Sequence, residues 1–392
     1  MEYRVHRGEK LSAIGVGTYG VGGAYGAKDP ERYIDVLRRA AELGVTFFDT
    51  ADVYGPAEEV LGRALAPFRD RVWIATKVGA SRNGKPDCSR SHIMASCDRS
   101  LRRLGVDRID LYQVHFDDAR TPVAETVGAL DDLVTAGRVR RYGIGHLSPA
   151  RVCEYLGAGD IFSILTELSA VARKALDRTA PLCQAHCAAM IAFSVTGRGM
   201  LTGRIGPDTV FGPDDIRRLD PLFQRARRTS GLRVAEYLRR LGDRYSKSPA
   251  QVAIAWVLAQ PGVICALTGP STIAHLEEDL GGAGWGIAPG DLRALDRLLD
   301  AEDERLRGEQ IVELRSILES QAQSGREFTD LVYALETLVE LGVAEEGQVL
   351  PAFQQLWALR NGSHPAEIAR LRASLREQFL PVLSDPGRPD PL

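Results

Sequence analysis

The chain has 392 residues, 44% of them hydrophobic and 26% charged, with a formal net charge of −3. Its length suits an α/β barrel, which needs about 250 residues, with room for an appendage, and its composition is that of an ordinary soluble globular protein. The charge balance argues against a nucleic-acid partner, and no apolar run approaches the ~18 residues that a membrane span requires. The opening MEYRVHRGEK lacks the apolar core of a secretion signal, and six scattered cysteines fit a reducing cytoplasm better than a disulfide framework.

In chain order, residues 1–10 read as a short β element capping the bottom of a barrel, and 13–18 as the first barrel strand. A glycine-rich loop, 20–26, follows without the spacing of a dinucleotide fingerprint, and reads either as a flexible wall of a substrate pocket or as a simple strand-to-helix connection. Residues 30–43 carry Ile34, Leu37, Ala40 and Ala41 at helical spacing, and Gly44 ends that helix. The apolar run 45–48 ends in Asp49, 72–76 ends in Lys77, and 109–114 ends in His115. Helices are expected at 57–65, 89–104 and 122–136, and strand five at 139–145. Ser148-Pro149 starts the next helix as N-cap and first residue. Strands six to eight fall at 161–168, 190–193 and 263–267, with helices at 175–186, 219–244, 249–259 and 273–280. Eight strands alternating with helices predict an α/β fold of the (β/α)8 TIM-barrel type. From residue 289 onward only helical stripes remain, at 311–319, 328–341, 350–359 and 365–380.

The chemistry gathers at strand ends. An acid (Asp49), a phenol just beyond it (Tyr54), an ammonium (Lys77) and an imidazole (His115) all sit where parallel strands finish, the face on which barrel enzymes build active sites. Tyrosine titrates near ~10, too weakly acidic for efficient proton donation at neutral pH; an adjacent ammonium would lower that value, and Asp49 would keep Lys77 charged. Cys183-Gln184-Ala185-His186-Cys187 resembles a metal cluster in composition but lacks a second ligand pair, and reads as structural; no metal is expected.

FDTADVYG, ATKVG and LYQVH, in this order and spacing, resemble the catalytic stretches of the aldo-keto reductases. The resemblance spans about 300 residues and implies a cytoplasmic oxidoreductase that moves hydride between NADP(H), or else NAD(H), and an aldehyde or ketone. It assigns Tyr54 as general acid/base, Lys77 as the group tuning its pKa, Asp49 as the partner of Lys77, and His115 as the carbonyl-orienting residue. It places the cofactor against Gly17, Thr18, Gly145, His146, Leu165, Phe193, Ser194, Gly197, Gly199, Leu201, Gly203, Gly269, Ser271, Thr272, His275, Glu278 and Asp279. Tyr19, Tyr25 and Phe116 are the expected contacts of a small carbonyl substrate.

The chain departs from the family pattern where the nicotinamide amide is gripped. Gly145-His146 replaces Ser-Asn, Leu165 replaces Gln, and Phe193 replaces Tyr, keeping a π-face without the hydroxyl. Near the adenine, His275 and Asp279 replace Arg and Asn, and no Lys or Arg occurs in 269–279; Arg198 and Arg204 are the nearest loop cations. These changes leave open a non-redox acid/base enzyme, a lyase or isomerase, on the same barrel. A third reading, a binding module, would use the C-terminal helices as its partner surface. The expected division is a barrel over 1–302, a helical extension over 303–383 through which a homo-oligomer would form, and a disordered tail over 384–392.

Overall fold

A computed structural model describes residues 1–26, 29–80, 86–118, 120–320, 326–360 and 364–383. The pocket loop expected at 81–87 falls mostly, and the tail expected at 384–392 entirely, outside those residues. Two strands, β1 (Tyr3–His6) and β2 (Glu9–Ser12), form an antiparallel hairpin. Arg7 and Gly8 turn it at φ 49 and 80, the doubly positive geometry of a tight two-residue turn. Arg4 donates to the carbonyls of Leu258 and Val263, both at 2.7 Å, and Arg7 pairs with Asp160 at 2.5 Å. The hairpin thus caps strand entrances, opposite the strand ends where the chemistry lies.

Eight strands follow: β3 (Ile14–Gly17), β4 (Phe47–Asp49), β5 (Trp73–Val78), β6 (Ile109–Val114), β7 (Val139–Gly145), β8 (Ser163–Glu167), β9 (Ala189–Phe193) and β10 (Val263–Thr268). They close into a parallel barrel in which β10 pairs with β3. Every residue of β4, β5, β6 and β10 is buried, as expected when helices cover one face and barrel side chains fill the other. The filling is tight around β3. A Cβ on Gly15 would lie 2.8 to 2.9 Å from Leu267, Cys265 and Phe47, so only glycine fits. The expected (β/α)8 barrel is the observed one.

Helix starts follow their capping chemistry. Ser148 accepts from Arg151 N with Pro149 behind it, and Ser248 and Gln251 form a reciprocal capping box. Two expected helices are corrected, both at proline. The 175–186 segment splits into Ala175–Arg178 and Ala180–Ala185, because Pro181 lacks the N–H needed to continue the first piece. The 219–244 segment starts late. Asp220 caps a 3₁₀ turn at Pro221–Phe223, and the helix runs Arg225–Tyr245. No helix among the described residues is long and apolar enough to cross a membrane.

The chain divides into two compact units, Met1–Ile205 with Ala235–Leu292, and Gly206–Val234 with Arg293–Leu392. This differs from the expected boundary at 303 in two ways. One helix, Pro289–Glu319, runs uninterrupted through that position, which holds no glycine, proline or cap. And 206–234, read from sequence as barrel, belongs to the second unit. Ion pairs bind it there: Arg225 to Asp330 at 2.7 Å, Arg233 to Glu302 at 2.5 Å, and Arg227 to Glu340. Glu313 accepts from Ala226 N at 3.2 Å and from the Tyr333 hydroxyl at 2.7 Å. The second unit has its own core of Leu314, Leu331, Leu335, Leu338, Leu356, Leu375 and Phe379. The apolar stripes of these helices are therefore covered by one another.

Candidate active site

All eight barrel strands end on one face, and six of them end in or beside a residue singled out from sequence. Gly17, Asp49, Gly145 and Phe193 close β3, β4, β7 and β9; Lys77 is next to last in β5, and His115 follows β6. Lys77 is 1% exposed. Its Nζ donates to Asp49 Oδ1 at 2.5 Å and to the Thr50 carbonyl at 2.7 Å. Burial pushes the Asp49 carboxyl above its ordinary value, against the opposing Lys77 charge and hydrogen bond. Thr18 is occupied too: its hydroxyl and its N–H both donate to the Asp49 carbonyl, at 3.1 and 2.9 Å.

Gln113 was missed in the sequence. Its Nε2 donates to Asp49 Oδ2 at 3.2 Å, so Asp49 is held at both oxygens. The signal was there in the strand period: Gln113 lies two residues before His115 and is the register partner of Lys77 in the β5/β6 ladder.

Tyr54 is partly buried, with Lys77 Nζ 5.0 Å from its ring centroid and the His115 ring edge-on at 5.7 Å. The expected lowering of its pKa is not found. Burial, followed by the Asp49, Tyr19 and Asp52 charges, holds the phenol well above its ordinary value. Burial is the largest cause, and the Lys77 ammonium, which faces the Asp49 carboxyl at 2.5 Å, does not offset it. His115 is 4% exposed, and its Nδ1 has no hydrogen-bond partner among the described residues. Burial, then the Lys77 and His146 charges, pushes its pKa down to about 2, so the imidazole is neutral at physiological pH.

The other expected residues divide into those the fold gathers and those it turns away. His146 adopts φ 51, strained for a non-glycine residue, and its ring lies 5.0 Å from both Phe116 and Phe193 and 5.4 Å from His115. Part of His146 faces solvent; crowding by these rings, with the Lys77 and Arg198 charges, lowers its pKa. Gly145 and Leu165 are register neighbours, and Leu165 is buried in the barrel interior, where it offers only hydrocarbon. After β9 the backbone turns through positive φ at Ser194, Gly197, Arg198, Gly199 and Gly203. Leu201 is fully buried, so its side chain serves the core, and its N–H donates to the Thr196 carbonyl at 3.0 Å. Arg198 pairs with Glu167, the last residue of β8, at 3.0 Å.

After β10, a Cβ on Gly269 would meet nothing within 4 Å. Thr272 caps the helix Ile273–Leu280 by accepting from His275 N, and Ser271 Oγ lies 3.4 Å from His275 Nδ1. Arg204, remote in sequence, forms an ion pair with Glu278 and so brings a guanidinium to a segment that has no cation of its own. Burial pushes Asp279 up to about 7. These residues fit a dinucleotide at its phosphate end: a helix N-terminus offers N–H donors, glycines at 197, 199 and 203 leave room for close approach of a ligand, there is open space at Gly269, and Arg204 brings a cation. At the nicotinamide end they offer rings, with the His146 imidazole as the polar group. Among the described residues no group of three His, Cys, Asp or Glu is arranged to hold a metal.

Asp52, beside Tyr54, carries a pH-dependent cost. Its Oδ1 is buried without a partner among the described residues, and Arg103 is spent on Glu58 at 2.7 Å and on the Asp52 carbonyl at 3.2 Å. Burial, ahead of the Glu58 charge and against Arg103, Arg99 and Lys77, raises its pKa to about 7. The folded value lies above the unfolded value near ~4, so stability falls as pH rises through that window. Asp52→Asn is expected to raise Tm relative to wild type at pH 8 and to leave it nearly unchanged at pH 4. Calorimetry at the two pH values checks this, and an equal offset at both contradicts it.

The family model for the aldo/keto reductase family matches residues 13–298. The aldo-keto reductase YhdN of Bacillus subtilis (strain 168) is 31% identical over 311 residues, covering 76% of this chain and 94% of its own. A probable aldo-keto reductase 1 of Glycine max is 33% identical over 74% of this chain and 86% of its own. Among solved structures, a glycerol dehydrogenase from Gluconobacter oxydans superposes with TM-score 0.71 at 30% identity, covering 76% of this chain and 95% of its own. An aldo/keto reductase from Klebsiella pneumoniae, solved with NADP and acetate, gives TM-score 0.61 at 27% identity, over 76% of this chain and 94% of its own. With the family model spanning the whole barrel and the strand-end groups gathered on one face, the chain belongs to the aldo-keto reductase family and is an NAD(P)H-dependent oxidoreductase.

Proposed function

We propose that this protein reduces an aldehyde or ketone with NADP(H), with Tyr54 as the proton donor, and that the reverse alcohol oxidation uses the same groups. The observation that carries this reading is the buried Lys77–Asp49 pair at 2.5 Å, with Lys77 5.0 Å from the Tyr54 ring. A bound nucleotide supplies the hydride. The chain supplies the rest. His115, held neutral, orients the carbonyl oxygen by hydrogen bonding. Tyr54, whose proton is retained at neutral pH, gives it up only as negative charge develops on that oxygen. The phenolate left behind lies near the Lys77 ammonium, which the Asp49 carboxylate keeps in place. Gly197, Gly199, Gly203 and the helix start at Thr272 are the proposed pyrophosphate contacts, with Phe193 beside the nicotinamide.

A non-redox reaction on the same proton-transfer set is the second reading. The feature favouring it is Gly145 with Leu165, which offers no side-chain hydrogen bond where the family grips the nicotinamide amide. Fluorescence titration separates the two, since a barrel without redox chemistry binds neither NADPH nor NADH at millimolar concentration.

Tyr54→Phe is expected to lower kcat by about two to four orders of magnitude, the usual worth of a positioned acid, with nucleotide affinity little changed. Steady-state rates of NADPH consumption measure it, and a near wild-type rate removes Tyr54 from the mechanism.

Cofactor choice rests on weak charge. A 2′-phosphate normally meets arginine or lysine, and here the available groups are His275 and an Arg204 already paired with Glu278. The dissociation constants of NADPH and NADH are therefore expected to differ by less than about a hundredfold, ~2.7 kcal/mol. Arg204→Ala should narrow the ratio further. A preference above a hundredfold, or one unmoved by Arg204→Ala, contradicts this assignment.

A further inference from the structure

Behind the barrel wall lies a second buried charge pair, apart from Lys77 and Asp49. Glu58, 1% exposed, stands in the first turn of the helix Ala57–Leu65. Its Oε1 accepts from the Thr76 hydroxyl at 2.7 Å, and its Oε2 pairs with Arg103 at 2.7 Å. The same Arg103 nitrogen, Nη1, donates to the Asp52 carbonyl at 3.2 Å. Successive strand side chains alternate, so Thr76 faces the helix layer while Lys77 shares the inward face of β5 with Trp73 and Ala75. One carboxylate thus joins two helices to β5 and, through Arg103, to the turn that carries Tyr54.

Gly62 makes this pairing possible. A Cβ there would overlap the Leu104 carbonyl oxygen, so the helices Ala57–Leu65 and Arg90–Leu104 approach backbone to backbone at that point. Glu58 stands one helical turn before Gly62, and Arg103 immediately precedes Leu104, which brings the two charges together. A carboxylate this deep is costly, and replacing such a pair with apolar side chains is often neutral or stabilising. Packing alone therefore does not account for it.

The pair spans the two groups whose spacing the reaction depends on. Asp52 lies two residues before Tyr54, and Thr76 is next to Lys77. The Tyr54 turn is otherwise secured locally, with Tyr54 N donating to the Ala51 carbonyl and Ala57 N to the Tyr54 carbonyl, both at 3.1 Å. Toward the site it has packing contacts. Tyr19 meets Tyr54 edge-on at 5.0 Å and is backed by Tyr25 at 5.8 Å, and a Cβ on Gly22 would lie 3.1 Å from the Tyr54 carbonyl oxygen. Among the described residues, the bond from Arg103 to the Asp52 carbonyl is the one side-chain hydrogen bond that ties residues 51–56 to another element.

We propose that Glu58 and Arg103 are positioning residues for the reaction, a brace that sets the Tyr54 phenol against Lys77 by holding the Asp52 carbonyl at one end and Thr76 at the other; this rests on the reading of Tyr54 as the proton donor. The two residues act through Tyr54 and Lys77 and not on the substrate. Their effect is geometric, since proton transfer needs the phenol within hydrogen-bond reach of the carbonyl oxygen and near the ammonium that receives its charge. A displacement of about 1 Å in such a group can cost a hundredfold in rate.

The test is a double-mutant cycle on the full chain, with NADPH and 4-nitrobenzaldehyde, whose electron-poor carbonyl accepts hydride readily. Glu58→Gln keeps the shape and removes the charge that holds Arg103. It is expected to lower kcat by about tenfold to a hundredfold while the NADPH dissociation constant stays within about twofold of wild type. In a Tyr54→Phe background the same substitution should cost less than about threefold, because the group it positions is gone. Thr76→Val, which cuts the brace at β5 with little change in volume, should lower kcat by about threefold or more and show the same dependence on Tyr54; it carries the test if circular dichroism finds Glu58→Gln unfolded. The proposal is overturned if kcat stays near wild type in these variants, or if their losses are equal with and without the Tyr54 hydroxyl, as a purely structural role requires. A near wild-type rate for Tyr54→Phe alone, or no turnover with NADPH or NADH, overturns the underlying reading of the site and so is told apart from failure of the brace.

Discussion

The catalytic end of the barrel is built around one buried ion pair, Lys77 Nζ to Asp49 Oδ1 at 2.5 Å. Two charges this far from water are costly, and hydrogen bonds to both groups offset part of that cost. Lys77 also reaches the Thr50 carbonyl, and Gln113 takes the second oxygen of Asp49. Thr18 ties the Asp49 backbone to the end of β3. Four adjacent strands thus meet at one carboxylate, through their ladders and through these side chains. Removing one member of such a pair leaves the other charged and alone, at a typical cost of about 3–5 kcal/mol.

Burial, unrelieved by the neutral pair beside it, explains a weak acidity of Tyr54 that the sequence did not suggest. An isolated ammonium would draw the Tyr54 proton off. An ammonium cancelled by a carboxylate does not, and burial of the phenol prevails. His115 is neutral for a related reason, burial next to a cation. The groups facing the proposed substrate therefore carry no formal charge at rest. In the proposed reaction their stabilising effect would be reserved for charge that develops on the carbonyl oxygen, and such a differential is what accelerates a step.

Much of this could be read from the sequence, because strand ends are local features. An apolar run stopped by Asp49, Lys77 or His115 announces both a strand and a group at its mouth. Ser148-Pro149 announced a helix start for an equally local reason. Gln113 was legible only by counting alternate residues along β6 once its partner strand was known. Proline was underweighted at Pro181 and Pro221, where a missing N–H broke a helix that periodicity alone would continue. That 206–234 belongs with the helical extension escaped detection for another reason. Segment 206–234 is held there by pairs such as Arg225–Asp330, more than a hundred residues apart in sequence, and no local pattern records such a contact.

The central claim is that Asp49 and Lys77 serve Tyr54 as one unit. A double-mutant cycle on kcat with Asp49→Asn, Lys77→Met and the combined variant tests it most directly, with the fold of each checked by circular dichroism. If the pair acts as a unit, each single substitution lowers kcat by at least about a hundredfold, and the double variant is no more than about twofold slower than the slower single. Losses that multiply would mean that Asp49 and Lys77 act independently, which contradicts the account.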